Sequence, residues 1–192
     1  NAMGALDLTA LFEKLPCKLI PINFELDGSF PSHEADPLKL ENIELLQEKV
    51  KEHKADLGIT TDGDGDRIFF VDNNAELIAP EIIRGILAEM VLRDNPGAAI
   101  GYDIRPGKIT QDMIEENGGK PFITKVGHSL IKEEMLKKDS PFSGESSGHF
   151  FYKTEFGSYE SPVQVVLNLL TWFAEKNQTT HEAVAPLKRY YH

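Results

Sequence analysis

Apolar residues recur along this chain in two rhythms, a helical one and a strand-like one, and the two alternate. In "ALDLTALFEKL" (5–15) leucines and a phenylalanine fall at helical spacing, and Pro16 follows as a stop. "CKLIPINF" (17–24) reads as a strand, and the Gly-, Pro-, Ser- and Asp-rich 27–37 as a loop. Over 40–53, Leu40, Ile43, Leu45, Leu46 and Val50 share one side of an amphipathic helix. "ADLGITT" and "RIFFVD" are strands leading into and out of an acidic loop, "NNAE" is a turn, and "LIAP" closes a hairpin-like unit. A helix over 80–94 carries Pro80 in its first turn.

The same rhythm continues to the end. "AAIGYDI" is a strand, "ITQDMIEENGG" a helix with a glycine stop, and "KPFITKV" a strand. "SLIKEEMLKK" is a helix, "SPFSGESSGHFFYK" a strand, loop and strand, and "SPVQVVLNLLTWFAEK" a buried helix. Alternating strands and helices predict α/β layers with largely parallel pairing. The turn at Asn73–Glu76 is the expected domain boundary, separating 4–76 from 77–192.

Composition narrows the classes. A hydrophobic fraction of 41% and a charged fraction of 27% are those of an ordinary globular protein. The net charge of −11 argues against a general nucleic-acid surface. The longest apolar stretch, 164–175, is too short to span a bilayer. Cys17 is the only cysteine, so a cytoplasmic setting is expected, with Cys17 as a small buried residue.

The acidic loop is "TTDGDGDRIFF" (60–70). On an extended chain Asp62, Asp64 and Asp66 project to one side, and Gly63 and Gly65 let the backbone turn between them. Three carboxylates so close raise one another's pKa unless a cation neutralises them. Hard oxygen donors without a nearby Cys or His suit Mg²⁺, and Arg67 could hold an oxygen of a phosphoryl group beside it. A calcium EF-hand fails: counted from Asp62, position 6 is Arg67 rather than Gly and position 12 is Asn73 rather than Glu. A plain Asp-Gly turn between strands is the competing reading.

A second constellation, "GESSGHF" (144–150), lies between two short apolar runs. Glu145 and Ser147 suit sugar hydroxyls, and His149, with an ordinary pKa of about 6.5, could move protons at a sugar oxygen. A polar hairpin turn is the alternative. Lys125 and His128 stand between a strand and a helix start, and Arg105 directly follows another strand. Ligands gather at such carboxyl ends in α/β sheets, and helix N-termini favour anions.

Taken together, "ADLGITTDGDGDR", "KVGHSLIKEEM" and "GESSGH", with "GSFPSHEADPLKLENIELL" upstream, resemble the α-D-phosphohexomutase family, phosphomannomutase/phosphoglucomutase branch, from about Leu15 onward. The resemblance implies two α/β domains, each a mixed sheet flanked by helices: the second of the family's four, incomplete here, and the third. It implies Mg²⁺ on Asp62, Asp64 and Asp66, with Arg67 beside the reacting phosphoryl group. It further implies Glu145 and Ser147 on hexose hydroxyls, His149 as general acid/base, and Arg105 and His128 as substrate contacts. Glu and Ser followed by Gly-His favour gluco- and manno-sugars over glucosamine phosphate.

The implied reaction exchanges hexose 1- and 6-phosphates through a phosphoserine and a bound 1,6-bisphosphate. No "TASHNP"-like serine loop and no "RxSGTEP"-like phosphate loop is found in the sequence. The expectation is therefore a fragment, inactive alone, whose partners are hexose phosphates and the enzyme's missing domains. Self-association through an exposed sheet edge is also expected, and neither nucleic acid nor membrane. The competing classes are a stand-alone Mg²⁺-dependent phosphosugar-binding module or pseudoenzyme, and a Mg²⁺-dependent phosphatase with an aspartate nucleophile.

Overall fold

The computed structural model describes residues 2–105 and 107–190. The chain divides after Leu77 into two compact units. In the first, α1 (Gly4–Phe12) is followed by a long irregular segment, a 3₁₀ turn (Leu40–Ile43) and α2 (Glu44–His53). Next come β1 (Leu57–Thr61), β2 (Ile68–Asp72) and the two-residue β3 (Leu77–Ile78), which sits at the division. The three strands form a sheet in the order β1-β2-β3, with β1 antiparallel to β2 and Thr61 opposite Ile68. That register makes the acidic residues the tip of a hairpin. Every residue of β2 is buried, and Val71 packs with Val50 of α2 and Ala75. Burying each large side chain of this kind is worth about 1.5–3 kcal/mol.

The second unit holds α3 (Pro80–Asp94), β4 (Ala99–Asp103), α4 (Lys108–Glu116), β5 (Lys120–Thr124) and α5 (His128–Lys137). It continues through β6 (Phe142–Gly144), β7 (Phe150–Thr154), β8 (Gly157–Glu160), α6 (Pro162–Lys176) and α7 (Thr180–Val184). Its five strands run in the order β5-β4-β6-β7-β8. β4 pairs in parallel with both β5 and β6, whereas β6–β7 and β7–β8 are antiparallel. The sheet is thus mixed and flanked by helices, not largely parallel. The cause is a tight return at Glu155–Phe156 into Gly157, whose φ of +136° favours glycine, so β7 and β8 form a hairpin. Helix α3 is buried over most of its length, and α6 contributes Val165, Val166, Leu169 and Trp172 to the core.

Two expectations fail in the first unit. Residues 17–24 form no strand, and Cys17 is exposed rather than buried. Alternating apolar residues make a strand only where a neighbour offers a ladder, and Pro21 has no N–H to contribute to one. Among the described residues no helix is long and apolar enough to cross a membrane.

Candidate functional site

The acidic loop is organised by Asp62, which is 3% exposed. Its Oδ1 accepts from the Gly65 and Arg67 amides at 3.1 and 3.2 Å, and its Oδ2 accepts from Arg67 Nε at 2.6 Å. Gly65 has φ +83°, and a Cβ there would come within 3.0 Å of the Gly4 nitrogen, so the turn needs glycine for conformation and for space. Arg67 also reaches Asp36 at 3.5 Å. Burial works against the Arg67 guanidinium, yet Asp62, Asp36 and Asp66 hold it above its ordinary value.

Asp62, Asp64 and Asp66 each offer a carboxylate oxygen within 4.8 Å of the others. Asp64 is exposed and Asp66 half-buried, so the opening of the loop is acidic while its base is pinned. Three hard oxygen donors with no thiolate among them could hold a metal ion of the oxygen-preferring kind. One residue is already partly committed: each Asp62 oxygen accepts within the loop, so a cation there would use its remaining lone pairs.

In the second unit the topology gathers the remaining candidates. Because β5, β4 and β6 are parallel, their carboxyl ends lie along one edge of the sheet, and each ends in a polar residue or loop. β4 ends at Asp103 and leads to Arg105. β5 leads through Lys125 to Gly127 and His128, and β6 leads into Glu145. Glu145 is 2% exposed. Its Oε1 accepts from the Gly127 amide at 3.0 Å; its Oε2 lies 3.1 Å from Ser147 Oγ and 2.9 Å from His149 Nδ1. Burial pushes the Glu145 carboxyl up, but His149, the Gly127 amide and Ser147 more than offset it and hold it at about 2.

The His149 ring stands edge-on to His128, with centroids 4.4 Å apart, and both rings contact Phe151. His128 Nδ1 is 2.7 Å from Glu160 Oε1, an ion-pair distance without hydrogen-bond geometry, while Glu160 Oε2 accepts from Lys132 at 3.0 Å. Gly127 begins α5 with φ +124°, which aims its amide at Glu145 and sets His128 in the first turn. Lys125 is exposed. Glu145, Ser147, His149 and His128 therefore form one cluster.

Arg105 belongs to an adjoining network. Its Nε donates to Asp103 at 2.6 Å, and Asp103 also accepts from the Ser146 amide and hydroxyl at 3.1 and 2.9 Å. Asp103 is fully buried, as is its partner Arg84 of α3, whose Nη1 lies 2.5 Å away. Burial pushes the Arg84 guanidinium down, and Asp103 opposes that. Sequence reasoning passed over Arg84, Asp103 and Glu160. One signal was present: Arg84 is an arginine set among Ile82, Ile83, Ile86 and Leu87, where a cation needs a buried partner.

Two α/β units, one with an acidic hairpin tip and one with polar loops at its strand ends, define a protein of layered α/β domains. The chain belongs to the phosphoglucomutase/phosphomannomutase family: residues 1–75 match the model of its alpha/beta/alpha domain II and residues 79–190 that of domain III. It is 42% identical over 170 residues to a phosphomannomutase/phosphoglucomutase of Pseudomonas syringae pv. tomato, covering 88% of this chain and 37% of that protein. To a phosphomannomutase of Methanocaldococcus jannaschii it is 37% identical over 171 residues, covering 89% of this chain and 38% of the relative. A crystal structure of a phosphoglucomutase/phosphomannomutase family protein from Burkholderia thailandensis superposes with a TM-score of 0.87 at 34% identity, over 95% of this chain and 40% of the other. The chain thus spans less than half the length of these relatives.

Proposed function

We propose that this chain is the metal-binding and sugar-recognising part of a phosphohexomutase that interconverts hexose 1- and 6-phosphates, of gluco or manno configuration, through a phosphoserine and a 1,6-bisphosphate. The observation that carries the proposal is the pairing, on one chain of this family, of a three-carboxylate loop with a buried Glu145 held by His149 and Ser147. Asp62, Asp64 and Asp66 would hold Mg²⁺, which when bound supplies positive charge to a transferring phosphoryl group. Arg67, anchored through Nε by Asp62, would present its guanidinium to the same group. The division near 73–76 would separate metal binding from sugar recognition.

In the second domain Ser147 reads a sugar hydroxyl, and Glu145 accepts from one through a lone pair of Oε1 left beside the Gly127 amide. With Glu145 holding the Nδ1 proton of His149, Nε2 is the atom that takes or gives a proton at a sugar oxygen. Arg105 supplies positive charge toward the substrate phosphate, and His128 contacts the substrate. Hexose phosphates and the rest of the same enzyme, in a cytoplasmic setting, are the partners this reading calls for, and the β1 edge is where self-association would occur.

Phosphorus NMR of mannose 1-phosphate with glucose 1,6-bisphosphate, Mg²⁺ and this chain tests the proposal. No turnover is expected, with line broadening that Glu145→Ala removes. Turnover would refute the division of labour, and no broadening at all would refute sugar-phosphate recognition.

A further inference from the structure

Two arginines converge on one buried carboxylate in the second unit, and the count of charges has a consequence. Asp103 is fully buried and accepts from Arg84 through Oδ1 and from Arg105 through Oδ2. Arg84 is itself fully buried, reaches Thr110 Oγ1 at 3.0 Å through Nε, and lies 3.3 Å from the Gly144 carbonyl. It is thus fixed from three elements, α4, β4 and β6, and cannot turn outward to a ligand. Arg105 differs: its side chain is 41% exposed and its fork is tied to Asp103 by Nε. A buried carboxylate needs one compensating cation. Arg84 already provides it.

The geometry points to Arg84 as a positioning residue for the sugar-phosphate site: by neutralising Asp103 it leaves the charge of Arg105 for a ligand phosphate, while Asp103 keeps Arg105 oriented. The same carboxylate holds both the amide and the hydroxyl of Ser146, between Glu145 and Ser147, so one ion pair sets the anion-binding and hydroxyl-reading residues in a single register. Without Arg84 the Asp103 carboxylate would fall to Arg105 alone, and the exposed guanidinium would become an internal counter-ion. Arg84 does not touch the ligand; it acts through Asp103. The inference rests on the proposed role of Arg105 in meeting the substrate phosphate.

The test is the affinity of the 192-residue chain for glucose 1-phosphate, followed by amide NMR titration, which also reports whether each variant is folded. Arg84→Met is expected to weaken binding about tenfold. Adding Asp103→Asn to that variant removes the charge that captures Arg105, while an amide oxygen at the Oδ2 position still accepts from Arg105 Nε and the Ser146 amide. Affinity in the double variant is expected to return to within about threefold of the parent. A purely structural role for Arg84 predicts no such recovery. Should Arg84→Met fail to fold, Arg84→Lys keeps a cation against Asp103 and is expected to bind within about threefold of the parent. Unchanged affinity in folded Arg84→Met, no recovery in the double variant, or a tenfold loss in Arg84→Lys would overturn the inference. If Arg105→Met binds as well as the parent, or the parent does not bind, the reading of the site falls and takes this inference with it. Loss in Arg105→Met without loss in Arg84→Met removes this inference alone.

Discussion

The acidic loop of the first unit and the Glu145 loop of the second are both tight turns between strands, yet they settle their charges in opposite ways. In the first, three carboxylates cluster beside one guanidinium, which is tied to Asp62 through Nε. Asp64 is exposed and Asp66 half-buried, so like charges stand together at the opening of the loop. In the second, Glu145 is satisfied by an amide, a hydroxyl and an imidazole, and Asp103 by two arginines. A loop that leaves like charges together calls for a cation; a loop whose charges are balanced by fixed donors suits neutral hydroxyls and an anion. Charge accounting, more than loop shape, separates the two loops.

The comparison breaks most visibly if Asp62 is truncated. Asp62→Ala leaves Arg67 without its main partner and two loop amides without an acceptor, and is expected to cost about 3 kcal/mol or more in urea unfolding. Ablation of Mg²⁺ binding should accompany it. A loss under about 1 kcal/mol would mean that the loop is not organised by this carboxylate.

The second loop should show its balance as a pH dependence. Glu145 is held at about 2 against an ordinary 4.5, so its ionised form favours the folded state. That stability is fully present above pH 4.5 and is lost as pH falls toward 2. The difference corresponds to about 3 kcal/mol in total. Glu145→Gln should flatten the pH dependence of unfolding in that window, and an unchanged slope would contradict the assignment.

Mg²⁺ should sharpen the contrast by a smaller amount. At a hundredfold excess over its dissociation constant, it is expected to stabilise the parent by about 2.7 kcal/mol. Asp64→Asn, at an exposed position, should remove that stabilisation while changing metal-free stability by less than about 0.5 kcal/mol. The smallest effect is expected from Ser147→Ala, which deletes one of three donors to Glu145 and should cost about 1 kcal/mol at pH 7.

These differences also explain what could be read from the sequence. The acidic loop was legible because its chemistry lies within five consecutive residues, which one tight turn through Gly65 brings together. Glu145, Ser147 and His149 were legible for the same reason. The Arg84–Asp103 pair was not, because its partners lie on a helix and a strand end that only the tertiary fold brings together. The failed strand at 17–24 and the unforeseen β8 are the complementary case. Strand formation depends on a neighbour, so apolar "CKLIPINF" stayed irregular while the more polar "GSYE" paired with β7 through its glycine turn.

The most direct test is an amide NMR titration of the intact chain, with Mg²⁺ first and glucose 1-phosphate second. Mg²⁺ alone should move the resonances of Gly63, Gly65 and Arg67 and leave Gly127 and Ser146 in place, whereas the sugar phosphate should move Gly127, Ser146 and Ser147. A Mg²⁺ response centred on Gly127 and Ser146, or a sugar phosphate that moves none of the second-unit amides, would contradict the division between a cation loop and a sugar-phosphate loop.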